Sequence, residues 1–253
     1  MRLTVLGGSA AIPNAGAGCA GFLVEEGDAR VVLDLGPGTI GELRRHVDLA
    51  DVDAVVVSHL HVDHVLDVIA LRHGLAFKPG PPAAPLPIWL PPGGKTQLRA
   101  ALAPMEAWEP AGRFDQAVPL REHDPATPLV IGSLMLTFRR TVHDVPCWAI
   151  RVDGATGRVV YGADGGPASD LAEFARDADL LIAEATLIDG DDDLERGSLT
   201  AVEAGELATR ANARRLLLTH IWQEHGFDRQ REAAATSYDG PIMVAQPGLV
   251  VEV

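Results

Sequence analysis

Ser58-His59-Leu60-His61-Val62-Asp63-His64 places four metal-capable side chains within six residues. The apolar run Asp53-Ala54-Val55-Val56-Val57 leads straight into it. That run is short and β-branched, and predicts a buried strand with the His cluster in the loop at its end. Val65 to Gly74 predicts a helix, which sets Asp63 and His64 at a helix start. Imidazole nitrogens and carboxylates are ligands for zinc and similar ions. His59 and His61, two apart in extended chain, point one way. Asp63 and His64 follow on the turn and face a second ion nearby. A chance cluster of surface histidines is the alternative. A polar cluster directly after a buried strand, however, sits where α/β folds place chemistry.

The chain has 253 residues, within the range of one α/β domain, and is 47% hydrophobic, so burial is not limiting. Its net charge of −14 repels nucleic-acid backbones and anionic membrane surfaces. The only two lysines are Lys78 and Lys95, and arginines occur at most in pairs, as at Arg44-Arg45. Two cysteines, Cys19 and Cys147, give no disulfide framework and fit a reduced, cytoplasmic setting. The start of the chain lacks a signal-peptide pattern, and no window approaches a membrane span.

His59-x-His61-x-Asp63-His64 resembles the signature of the metallo-β-lactamase fold. Further stretches carry the same resemblance. Thr141-Val142-His143-Asp144 closes a strand predicted from Leu129 to Arg140. His143 is the expected third His; His123, in the polar stretch Arg121-Glu122-His123-Asp124, reads as solvated. Tyr161-Gly162-Ala163-Asp164 ends an apolar strand in a carboxylate, and Leu180 to Thr186 is another strand ending in an acid, Glu184. Arg215 to His220 is a strand ending in the last His. Together these are similar to the ribonuclease Z-like branch of phosphodiesterases, and to small bacterial cyclic-nucleotide phosphodiesterases within it.

The resemblance implies an α/β fold built as a four-layer αββα sandwich, with the site at one edge of two sheets. It spans 1–253 as a single domain of two similar halves, split near residue 125. It implies two divalent ions, zinc first and manganese or iron next. His59, His61 and His143 hold one; Asp63, His64 and His220 hold the other; Asp164 bridges. Paired cations lower the pKa of a shared water and orient it for in-line attack, with Asp63 placed to accept its proton. Asp34, ending the strand Arg30–Leu35, is expected to hold a ligand His from behind. Glu184 is expected either to support a ligand from behind or to be catalytic, with a merely capping carboxylate close behind. His225 could reach the pocket mouth.

One position departs from the branch. Where a His is expected before the helix after the Glu-Ala-Thr strand, Ser198 stands, and no His occurs between His143 and His220. Ser198 at a helix start can bind an anion but is no equivalent general acid. Thr200-Ala201-Val202-Glu203 is a capping box opening that helix. Pro79 to Pro92 holds seven prolines and reads as a wall or lid, with Phe77 and Trp89 lining the pocket, or else as an exterior spacer. Asp189 to Asp193 is an acidic loop that fails the calcium-loop pattern. A small phosphodiester such as a cyclic nucleotide is the expected substrate. Ester, lactone or thioester hydrolysis, tRNA 3′ processing and a non-catalytic metal-fold role are the alternatives. No nucleic-acid or membrane partner is expected, and the resemblance allows a homodimer.

Overall fold

Short apolar runs, punctuated by glycine and proline, fold into two facing sheets. The structure, a computed structural model, describes residues 1–79, 84–190 and 193–253. Among these, one sheet holds β1 (Arg2–Gly7), β2 (Gly21–Glu26), β3 (Ala29–Leu33), β4 (Ala54–Val56), β5 (Ile88–Leu90) and β6 (Leu120–Glu122). The other holds β7 (Leu129–Ile131), β8 (Leu134–Arg140), β9 (Trp148–Asp153), β10 (Arg158–Tyr161), β11 (Leu180–Glu184), β12 (Leu216–Thr219) and β13 (Ile242–Val244). A last strand, β14 (Val250–Glu252), returns to the first sheet beside β1. The chain passes from one sheet to the other between Glu122 and Leu129. Both sheets share a plan: an antiparallel portion gives way to a parallel set, β3 to β6 in one and β10 to β13 in the other.

Strand periodicity sorts the apolar residues into layers. Val31 and Leu33 point between the sheets, where they meet Ile150, Val152 and Ile182. Val32 points outward, under α1 (Thr39–His46), α3 (Asp67–Ala76) and α4 (Gly94–Glu106), through Leu43, Leu71 and Leu98. On the far side Leu181, Leu216 and Leu218 pack under α6 (Ala201–Arg210) and α7 (Phe227–Ala234). The architecture is a four-layer αββα sandwich, and no helix among the described residues is long and apolar enough to cross a membrane.

Several elements differ from the sequence reading. The predicted strand Leu129–Arg140 is a hairpin, β7 and β8, turning at Gly132 with φ +57°. The predicted final strand Val244–Val253 divides at Gly248, φ +80°, into β13 and β14 on different sheets. Helix begins at Val62 (α2, Val62–Val65) rather than Val65, which puts Asp63 and His64 inside its first turn. His123 is not solvated: it is buried and stacked 3.7 Å from Phe138, near Trp148. Within the expected proline-rich wall, residues 80–83 lie outside the described residues, as do Asp191 and Asp192 of the acidic loop.

Candidate metal centre

Five of the singled-out side chains stand just beyond, or at, the carboxyl ends of strands in the parallel sets. Asp34 follows β3, Ser58 follows β4, Asp164 follows β10, Glu184 ends β11 and His220 follows β12. Strand ends in a parallel sheet gather at one edge, so residues far apart in sequence meet there. His143 arrives from the second sheet, in the loop after β8. The backbone there is held in a sparsely populated conformation. Ala11, Asp34, Ala163 and His220 all have φ between +52° and +56°. Positive φ in non-glycine residues persists where surroundings over-determine it, and such residues cluster at functional sites.

Two groups of donor atoms result: His59, His61, His143 and Asp164 in one, Asp63, His64 and His220 in the other, each with atoms within 4.8 Å of one another. The groups meet at a single oxygen. Asp164 Oδ2 lies 3.3 Å from His64 Nε2, 3.4 Å from His220 Nε2, 3.7 Å from His59 Nε2 and 3.8 Å from His143 Nε2. Asp63 Oδ2 lies 2.9 Å from His220 Nε2 and accepts the Ala11 N–H at 2.9 Å.

Contacts on the far side of four of the five rings fix their tautomers. His143 Nδ1 donates to the Gly197 carbonyl at 2.7 Å. His64 Nδ1 donates to Asp34 Oδ2 at 2.7 Å. His59 Nδ1 meets Ser58 Oγ at 3.0 Å, and that hydroxyl donates to Asp34 Oδ2 at 2.7 Å. His220 Nδ1 meets Thr186 Oγ1 at 2.7 Å, and that hydroxyl donates to Glu184 Oε2 at 2.5 Å. With the four Nδ1 protons committed outward, four Nε2 lone pairs point at a carboxylate and at one another. His64 Nε2 is buried without a hydrogen-bond partner. Acceptors facing acceptors in a buried site is an arrangement that a cation reconciles. The residues present therefore fit bound metal.

Carboxylates and imidazoles attract one another strongly here. Burial opposes charge on Asp164, yet the imidazoles of His220 and His64 hold its carboxyl well below the usual range. Burial likewise opposes charge on His64, and Asp164 and Asp34 outweigh it, so the imidazole lies well above its ordinary value. Burial, then the Asp164 charge, pushes Glu184 up to about 7.

Asp34 is the buried hub behind the rings. Besides Ser58 Oγ and His64 it accepts the Tyr161 hydroxyl at 2.8 Å and the Ser58 N–H at 2.6 Å. Of its expected roles, the contacts of Glu184 match the supporting one. Both its oxygens are used inside the scaffold, one by the Gly165 N–H at 2.7 Å and the other by Thr186. It fixes the turn after Asp164 and, through Thr186, the His220 ring. Trp89 differs from expectation: its indole packs against the core between the sheets, under the Arg121 guanidinium at 5.4 Å, rather than lining the centre. Phe77 lies on the outer face, in contact with Arg113 and Phe114. Ser198 follows Gly197, the residue that orients His143. His225 sits in a short turn after His220, with Nδ1 buried and unpartnered. Sequence reasoning missed Tyr161, Thr186 and Ser58 as orienting groups, although all three lie inside the quoted motifs.

Comparison with known proteins agrees with this geometry. Residues 29–221 match the Beta-lactamase superfamily domain. The probable metallo-hydrolase YhfI of Bacillus subtilis is 31% identical, with all of each chain covered. Its crystal structure, described as that of a metallo-beta-lactamase fold protein, superposes with a TM-score of 0.85 over 99% of both chains. Ribonuclease Z of Halorubrum lacusprofundi is 30% identical over all of this chain and 97% of its own. A diphosphatase of the PhnP family shares the fold, at 20% identity and a TM-score of 0.75 over 100% of this chain and 97% of that one. The chain belongs to the beta-lactamase superfamily, and is a metal-dependent hydrolase within it.

Proposed function

We propose that this hydrolase is a phosphodiesterase of small phosphodiesters, a cyclic nucleotide being the first choice, and that it works with two divalent ions, zinc before manganese or iron. The observation that carries the reading is the convergence of four imidazole nitrogens, from two donor groups, on Asp164 Oδ2. His59, His61 and His143 would hold one ion, Asp63, His64 and His220 the other, and Asp164 both. Bound there, such a pair supplies Lewis acidity toward the phosphoryl oxygens and toward a water poised for in-line attack.

The chain's own groups complete the reaction. Asp63, fixed by the Ala11 N–H, accepts the proton of the attacking water. The new P–O bond forms as the bond to the leaving oxygen breaks, and that oxygen takes a proton. Glu184 has both oxygens engaged and acts by positioning. His225, with a buried free nitrogen, is the imidazole outside the donor groups assigned to give that proton. Ser198, beside the residue that orients His143, is assigned to a phosphoryl oxygen. A net charge of −14 argues for a small substrate over tRNA, despite the ribonuclease Z likeness. Two buried free cysteines fit a reducing cytoplasm.

Ser198 in place of a protonatable ring also favours a second reading, hydrolysis of an ester, lactone or thioester, of which the thioester's thiolate leaves with least need of a proton. The test is turnover of cyclic nucleotides and a chromogenic phosphodiester with zinc or manganese. Cleavage of either supports the proposal. No cleavage of both overturns it, and a lactone and thioester panel then decides for the second reading. A protein that also fails to take up metal would be a binding protein of the same fold.

A further inference from the structure

Loops that carry the donor rings also border a cavity of about 190 Å³, walled by Leu60, Pro91, Pro92, Val145 and Pro146, with Gln97 also lining it. Leu60 stands between His59 and His61, and Val145 is two residues beyond His143, so the walls belong to segments that carry three of the donor rings. Backbone bonds fasten these segments together. The Trp148 N–H donates to the Ser58 carbonyl at 3.2 Å, and the Val57 N–H to the Trp89 carbonyl at 2.8 Å, two residues before Pro91.

The lining has a definite chemistry. None of these residues carries a charge, and Gln97 alone has a side chain able to form hydrogen bonds. Three of the walls are proline rings, stiff before anything binds, so little ordering cost is added. The space has room for a planar heterocycle. A carboxamide offers one donor and one acceptor side by side. On a free base both purines present such a pair, adenine at N7 and N6 and guanine at O6 and N1.

We infer that this cavity receives the nucleobase of the substrate, and that Gln97 hydrogen-bonds the edge of that base. The inference rests on the phosphodiesterase reading: the phosphate stays at the donor cluster and the uncharged base enters the apolar slot.

Steady-state kinetics on adenosine and guanosine 3′,5′-cyclic monophosphates, with methyl 4-nitrophenyl phosphate as a base-free diester, test it. Wild type is expected to cleave both cyclic nucleotides. Gln97→Ala should lower the ratio of cyclic-nucleotide to base-free kcat/KM about fivefold or more. Val145→Trp, which fills the slot, should lower the ratio of cyclic-nucleotide to base-free kcat/KM at least about tenfold. Titration calorimetry with adenosine 5′-monophosphate should show weaker binding to both variants. Should Val145→Trp prove unfolded by circular dichroism, Leu60→Phe replaces it. Diester cleavage with unchanged ratios in the variants overturns the inference and leaves the phosphodiesterase reading intact. Cleavage of the base-free diester alone does the same. No cleavage of any diester by wild type overturns both.

Discussion

Asp34 has no room for a change of character. Its Oδ2 alone accepts from Ser58 Oγ, His64 Nδ1 and Tyr161 OH. Through them one carboxylate sets a ring in each donor group, His64 directly and His59 by way of Ser58. Asp34→Asn keeps the volume and the tolerance for positive φ, but turns a pure acceptor into a group with donors facing donors. It is expected to weaken metal uptake about tenfold or more, by competition with a chromogenic chelator. Unchanged uptake would remove Asp34 from the account. His123 gives a prediction of another kind. Burial pushes its imidazole down to about 4, and both ring nitrogens are without partners. The folded state thus favours neutral His123, while the unfolded chain binds a proton below the ordinary value near 6.5. Stability from this residue is full above that value and is lost as pH falls toward about 4, on the order of 3 kcal/mol. His123→Phe should lose that much less between neutral pH and pH of about 4 in denaturant melts. Parallel losses would contradict it.

The turn that presents Asp63 depends on an element-to-element contact. A Cβ on Gly36 would sit 1.9 Å from the Asp63 carbonyl oxygen, and Leu35 N–H donates to the His64 carbonyl at 2.8 Å. The loop after β3 therefore lies directly on the first turn of α2, backbone against backbone, and no rotamer relieves the clash. Gly36→Ala should cost more than about 3 kcal/mol in a denaturant melt and displace Asp63, with metal uptake falling alongside. A variant with native stability would show that the two segments approach less closely. At this scale the sequence was partly legible. The capping box at Thr200 and Glu203 forms as the residues suggest, with Thr200 Oγ1 accepting the Glu203 N–H. The Gly132-Ser133 turn signal lay inside a run that reads as one strand, and continuous apolar pattern masked it.

Across the whole molecule, the donors were readable because each is a residue type with few other uses at a strand end, and strand ends of parallel sets converge. The orienting groups were not readable, because a serine, threonine or tyrosine acquires that task only from what tertiary packing sets beside it. His123 shows the same limit: a polar local stretch suggests solvent, and Phe138 and Trp148, distant in sequence, bury it. Cations would resolve the crowd of lone pairs around Asp164. Metal content after dialysis against zinc, by elemental analysis, measures this most directly. About two ions per chain are expected for wild type and about one for each of His143→Ala and His220→Ala. No bound metal in folded wild type, or the same content in all three proteins, would contradict it.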